Sequence, residues 1–294
     1  MNLKYIILLV VFLLVSAYVG ISIYAATKLT IPNPSPVTYD PKLIGYKVAD
    51  VVFRSKDNAQ LAGWFFRGTN DKAIILIHGA GNQNRVNEVY GGPAIAKHFY
   101  DLGYTVLMFD LRGSGDSEKT RISFGQYEAN DVAGAFNYMV TQEFKPESIG
   151  ILSDSLGAIA TAMASSDIKE AGGIVLDSPA QEVKSVVSGI MKNEENVPEF
   201  LHPGAFLAAK LLFQIDIDSV RPIDKIKELS DTPVLFLHGE RDTLIPPTHS
   251  EVLFSKVENA QRIVFPNMAH IEASTKDQLK FLETVESFFS KNLQ

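Results

Sequence analysis

Ser155, Asp242 and His270 are the side chains of this 294-residue chain whose types and placement suit covalent chemistry. A serine hydroxyl is un-ionised at neutral pH and attacks only when a base takes its proton. That base, a histidine, needs an anion to fix its tautomer and stabilise its charged form. Ser155 lies in Ser153-Asp154-Ser155-Leu156-Gly157, between an apolar run at 149–152 and an Ala-rich stretch at 158–164. The order reads as strand, abrupt turn and helix, with serine at the apex. A residue held there has a strained, left-handed backbone, so the positions two before and two after must be small; here they are Ser153 and Gly157. Asp242 follows the apolar run 234–237, in His238-Gly239-Glu240-Arg241-Asp242, and His270 follows the run 262–265. Each falls in a loop just beyond a strand, at the sheet edge where α/β sites form. A lone loop aspartate or histidine is usually solvated or packed; the three together, in this order, point to acyl transfer.

Acyl transfer builds negative charge on the former carbonyl oxygen, which preorganised backbone N–H groups stabilise. His78-Gly79-Ala80-Gly81 follows the run 73–77, and its glycines let the Ala80 N–H turn into a site beside the N–H of Leu156. A plain glycine-rich strand-to-helix turn fits the same residues. His78, at the strand end, suits a structural hydrogen bond holding the loop. Asp154 fails as a nucleophile, because Leu152 and Leu156 would occupy the positions that must be small. Asp177, at the end of the run 173–176, stays open as a replacement for Asp242, although Asp177-Ser178-Pro179 also serves as a strand exit. Arg112-Gly113-Ser114-Gly115 lacks the Lys-Ser/Thr pair of a phosphate loop and reads as a structural turn. The six histidines show no ligand spacing and there are no cysteines; no metal or cofactor is expected.

These loops need a scaffold. Apolar runs at 46–53, 61–66, 73–77, 104–109, 149–152, 173–176, 234–237 and 262–265 predict eight strands, the first two an antiparallel hairpin around Ser55-Lys56-Asp57-Asn58. Helical patterns at 93–102, 127–140, 155–165, 250–256 and 276–289 alternate with the later strands. The expectation is a mostly parallel sheet covered on both faces. About fifty residues at 180–230 hold helical patterns and no strand. They are expected to form a helical cap over the carboxyl edge, with ordinary crossover helices as the alternative.

The N-terminus is different in kind. Residues 5–26 carry no charge, and a helix of that length crosses a hydrocarbon core of about 30 Å. A cleaved signal peptide competes, but the run is long for one and Ile23-Tyr24-Ala25-Ala26 is a poor cleavage site. Residues 1–28 are therefore expected to anchor the chain; Lys4 and the free amine before the span, against Lys28, Asp40 and Lys42 after it, give a weak bias towards a cytoplasmic N-terminus and a main domain outside the cytoplasm. Residues 29–45, with four prolines between 29 and 43, predict an extended tether lifting domain 46–294 off the membrane. Asn33-Pro34-Ser35 is no glycosylation site, since proline occupies its middle position. With 46% hydrophobic and 21% charged residues the chain is globular, and a net charge of −7 without a basic run excludes nucleic acid as a partner. The lack of cysteine also excludes disulfides and thiolate catalysis.

From about residue 46 onward the chain resembles the α/β-hydrolase superfamily, and within it membrane-anchored serine hydrolases of the Bem46-like and prolyl-oligopeptidase-like group, of serine aminopeptidase S33 type. The resemblance rests on the serine turn, on Asp110-Leu111-Arg112-Gly113-Ser114-Gly115-Asp116-Ser117, on Ile122-Ser123-Phe124-Gly125-Gln126-Tyr127 and on Leu176-Asp177-Ser178-Pro179. It implies an α/β-hydrolase fold, Ser155 as nucleophile, His270 as general base, Asp242 as its orienter, and Ala80 and Leu156 as oxyanion donors. Ser153 departs from the family's glycine and is expected to crowd the turn. The expected activity is hydrolysis of a small-molecule ester or thioester, acyl or lipid-like. A peptidase and a catalytically silent binding domain are the alternatives. A peptidase needs an acid to hold a peptide's amino terminus, for which Glu194 and Glu195 are weak candidates.

Overall fold

Continuous apolar runs in the middle of the chain become strands covered on both faces. The computed structural model describes residues 2–32, 35–44, 47–80 and 83–294; Asn33, Pro34, Tyr46 and Gly81 of the expectations above lie outside them. The strands are β1 (Val48–Arg54), β2 (Gln60–Phe66), β3 (Ala73–Ile77), β4 (Thr105–Phe109), β5 (Ile149–Asp154), β6 (Gly173–Asp177), β7 (Val234–Gly239) and β8 (Ala260–Phe265). They form one sheet in the order β1-β2-β4-β3-β5-β6-β7-β8. β1 pairs antiparallel with β2, and β2 with β4. All later pairings are parallel, and the parallel strands β4, β5, β6 and β7 are buried along their whole length, as parallel strands between helical layers must be.

Side chains of period two divide the core. Ile75, Ile77, Leu107, Phe109, Ile151 and Phe236 meet α3 (Glu128–Thr141), α4 (Leu156–Met163) and α9 (Thr248–Phe254) on one face. Ile74, Val106, Leu152, Val175 and Leu235 meet α2 (Gly92–Asp101) and α11 (Gln278–Asn292) on the other. The helix expected over 155–165 ends at Met163, and a short α5 (Ser165–Ile168) restarts it beyond Ala164, whose backbone (φ −82°, ψ 4°) has left the helix. A short α10 (Ala273–Lys276) likewise precedes α11.

Between β6 and β7 the chain forms α6 (Val183–Asn193), α7 (His202–Phe213) and α8 (Pro222–Lys225). Val183, Val187, Met191, Ala205, Phe206 and Ala209 form a third buried cluster with Ile159 of α4 and Ile245 of the loop after β7. The insertion thus packs on Ile159, four residues after Ser155, and on Ile245, three residues after Asp242.

The N-terminal helix α1 (Leu3–Thr30) is exposed over its first five turns, then buries Ser22, Ala25, Ala26 and Thr30. Its last two turns share the insertion's cluster through Ala25, Ala26 and Leu29. Nor is the segment after it the expected tether. The Thr30 carbonyl accepts from the Ile122 N–H at 2.9 Å. Asn84 Nδ2 donates to the carbonyls of Ser35 and Pro36, both at 3.3 Å. Tyr39 packs on Trp64 with ring centroids 6.4 Å apart. Pro41 instead opens a short 3-10 turn, Pro41–Ile44, and before it the Ser35 and Pro36 carbonyls and the Tyr39 ring find partners on the domain.

Phe281 of α11 is fully buried against Tyr90 and Phe265, bracing the strand that leads to His270. Phe281→Ala should cost about 3–5 kcal/mol in urea unfolding of the full chain in detergent; a cost under about 1 kcal/mol would mean the site loops do not rely on this packing.

Candidate active site

Three loops at the carboxyl ends of β5, β7 and β8 converge. Ser155 is the single residue between β5 and α4, with φ 50° and ψ −116°, a conformation costing roughly 1–3 kcal/mol that neighbouring structure must hold. Its N–H donates to the Asp177 carbonyl at 2.9 Å. Gly157 shows why a small residue must follow: a Cβ there would stand 2.7 Å from the carbonyl oxygens of both Ile77 and His78. Ser153 does not crowd the turn as expected. Its side chain is fully buried and its hydroxyl donates to the Val175 carbonyl of the neighbouring strand at 3.3 Å.

His270 and Asp242 complete a chain of hydrogen bonds from Ser155. His270 Nδ1 lies 2.6 Å from Asp242 Oδ2, and His270 Nε2 lies 2.9 Å from Ser155 Oγ. Asp242 Oδ1 accepts the N–H groups of Leu244 and Ile245 at 3.0 and 2.8 Å. Burial opposes its ionisation, but hydrogen bonds from His238 and His270, with the His270 charge, hold the carboxyl well below the usual carboxylate range. An ionised carboxylate only accepts, so Nδ1 carries the imidazole proton and Nε2 is free to accept from the serine hydroxyl. For His270 burial again disfavours charge, yet the Asp242 hydrogen bond and charge, reinforced by Asp177 and Asp154, hold its pKa above the ordinary value.

The loop after β3 lies against this serine. A Cβ on Gly79 would stand 2.7 Å from Asp154 Oδ2 and 3.1 Å from Ser155 Cβ, so a larger residue would crowd the approach. Ala80 follows, exposed, and Leu156 opens α4, where a first-turn N–H has no acceptor within the helix. His78 is structural, as its position suggested. Its Nδ1 donates to the Gly79 carbonyl at 2.7 Å and its Nε2 accepts from the Leu111 N–H at 3.0 Å, and burial lowers its pKa so that the neutral form persists.

Beneath the serine lies a polar layer that the sequence did not disclose. Asp154 and Asp177 are register partners at the ends of β5 and β6, both buried. Asp154 Oδ1 accepts from Asn87 Nδ2 at 2.6 Å, and Asp177 Oδ2 from the Tyr90 hydroxyl at 3.0 Å. Burial, helped by the Asp177 charge, pushes Asp154 up to about 7. Asp177 thus serves Tyr90 and Ser178, and it is Asp242 that holds His270. The Asp110–Ser117 segment is scaffold: Asp110 binds the Arg85 N–H at 2.6 Å and its guanidinium at 2.9 Å, while Arg112 pairs with Asp131 at 2.7 Å.

A mostly parallel eight-stranded sheet with a serine turn after β5 and a histidine loop after β8 defines an α/β hydrolase. The family model of the S33 serine aminopeptidases matches residues 68–228, and the chain belongs to that family. It is 26% identical over 245 residues to the uncharacterized protein YfhR of Escherichia coli K12, covering 80% of this chain and 78% of that one. It is 27% identical over 220 residues to the uncharacterized protein YqkD of Bacillus subtilis, covering 73% and 70%. Among solved structures, the Pyrococcus furiosus esterase Pf2001 superimposes with a TM-score of 0.75 at 23% identity, over 90% of this chain and 99% of that one.

In an NMR titration the His270 imidazole, assigned by its loss in His270→Gln, should titrate above about 6.5. Asp242→Asn removes the stabilising anion and should move that titration to lower pH; an unmoved midpoint would mean that the pair does not form in solution.

Proposed function

We propose that the chain is a membrane-anchored serine hydrolase that cleaves carboxylic esters through an acyl-enzyme. The observation carrying this reading is the unbroken relay from Ser155 through His270 to Asp242, at 2.9 and 2.6 Å. Ser155 Oγ attacks the ester carbonyl while His270 Nε2 takes its proton. The tetrahedral oxyanion lies at the N–H groups of Leu156 and Ala80, and Asp242 stabilises the imidazolium. His270 then returns the proton to the departing alcohol, and water, activated by the same base, hydrolyses the acyl-enzyme. The chemistry draws on no metal or cofactor.

An ester is favoured over a peptide. The structural relative from Pyrococcus furiosus is named an esterase, and the cap approaching the site is apolar. Glu194 and Glu195, the candidates for holding a peptide amine, are exposed at the end of α6, where a solvated ion pair contributes little. The family's description as serine aminopeptidases makes amides the proper comparison. The anchor reading is supported by α1 itself, a 28-residue helix that contains an 18-residue stretch of mean hydropathy 2.8. Cleavage near Ala25-Ala26 would cut a turn that is buried against the cap, which speaks against a removable signal. The catalytic domain is read as lying outside the cytoplasm, with Lys4 on the cytoplasmic side of α1.

A fluorophosphonate should label the wild type and leave Ser155→Ala unlabelled; equal labelling of both, or of neither, defeats the assignment and favours a silent binding domain. Across p-nitrophenyl esters of rising chain length and aminoacyl-amides, esters should turn over faster, and faster amides would reverse the ranking. Asp242→Asn should retain the fold yet lose about 10⁴-fold in kcat, because the wrong imidazole tautomer faces the serine.

A further inference from the structure

Helix α7 exposes an apolar face that an ordinary solvent-facing helix lacks. Leu207, Leu211 and Leu212 are 56%, 70% and 54% exposed, and Phe200 just before the helix is 69% exposed. Scattered exposed leucines need no explanation, but these are contiguous with another surface. Leu207, Ala208, Leu211 and Leu212 line a groove of about 300 Å³ together with Tyr18, Val19, Ser22 and Ile23 of α1. The two helices meet closely. A Cβ on Gly204 would stand 2.8 Å from the Tyr18 hydroxyl oxygen, and that hydroxyl donates to the Phe200 carbonyl at 3.1 Å. The medium that surrounds Val19 and Ile23 therefore also bathes the leucines of α7.

The sequence of α1 sets what that medium is. Tyr5 and Tyr24 are about 28 Å apart along a helix rising about 1.5 Å per residue, close to the thickness of a hydrocarbon core. Tyrosines favour the two interfaces, and Lys4 and Lys28 lie just beyond them. Val19 is then about 8 Å inside the tyrosine boundary, the depth at which interfacial helices insert their apolar side. Helix α7 carries no acidic residue; its lysine, Lys210, pairs with Asp216 at 2.7 Å.

We infer that α7 and Phe200 form a second membrane contact, in which the cap lies in the acyl-chain boundary of the leaflet facing the domain and lipid chains fill the groove between α7 and α1. This rests on α1 spanning a bilayer. The cap over the site thereby becomes the part of the domain that touches lipid.

The chain has no native cysteine, so single fluorophore-bearing cysteines can be placed at Val10→Cys in α1, Leu207→Cys, Leu211→Cys and Phe200→Cys at the cap, and Leu279→Cys, 73% exposed on α11, as the aqueous control. The full chain is reconstituted in phosphatidylcholine vesicles, with quenching by brominated acyl chains compared with quenching by aqueous iodide. The expected result is loss of fluorescence to brominated lipid at 10, 207, 211 and 200, and to iodide at 279. Lipid quenching at 10 with iodide quenching at 207 and 211 keeps the anchor and overturns the cap contact. Protection of 207 and 211 from both quenchers means that a second copy of the chain covers the face, and likewise overturns it. Iodide quenching at 10 overturns the anchor and the cap contact together.

Discussion

The backbone of Ser155 is the constraint on which the rest of the site depends. A non-glycine residue at φ 50° between a buried strand and a helix persists only where surrounding structure over-determines it. Here β5 is fixed by parallel partners on both sides, the Ser155 N–H is bound by the Asp177 carbonyl, and Gly157 lets α4 press onto the end of β3. The sharp turn projects the hydroxyl above the sheet, and the loops after β3, β7 and β8 close around it. Remove the packing of the central strands and the relay has no geometry, whatever residues compose it.

The polar layer under the turn follows from the same placement. Parallel strands ending in register bring Asp154 beside Asp177, and two carboxyls cannot both ionise cheaply in a buried site. Asn87 and Tyr90 each bind one of them. That ties the segment following the Gly79-Ala80 turn to the strand ends carrying the serine. The negative charge retained there faces His270 and adds to that of Asp242 in favouring its protonated form. The His270 loop and the loop after β3 are thus coupled through the floor of the site as well as across its opening.

The central fold was legible because buried strands leave continuous apolar runs, such as 73–77 and 173–176, that little else explains. The relay was legible because each of its members follows such a run. Asn87 and Tyr90 were not, since their partners lie about 67 and 87 positions away and no local pattern marks a contact of that range. The prolines at 29–43 gave no sign of docking, which depends on Asn84 and Trp64 elsewhere in the chain, nor of the 3-10 turn at Pro41–Ile44. The break at Ala164 escaped because alanine favours helix and nothing local in the sequence marks a stop there.

Helix α1 enters the domain without a joint. Its apolar length and the turns buried against Ala205 and Ala208 belong to one uninterrupted helix. A flexible leash lets a catalytic domain sample a sphere whose radius grows with linker length, diluting its encounters with anything held in a plane. A helical stalk fixes height and heading instead. Such a domain cannot turn one side to bulk solvent and then to a surface; on the reading that α1 is set in a bilayer, whatever drifts in the membrane plane would always meet the same edge of it.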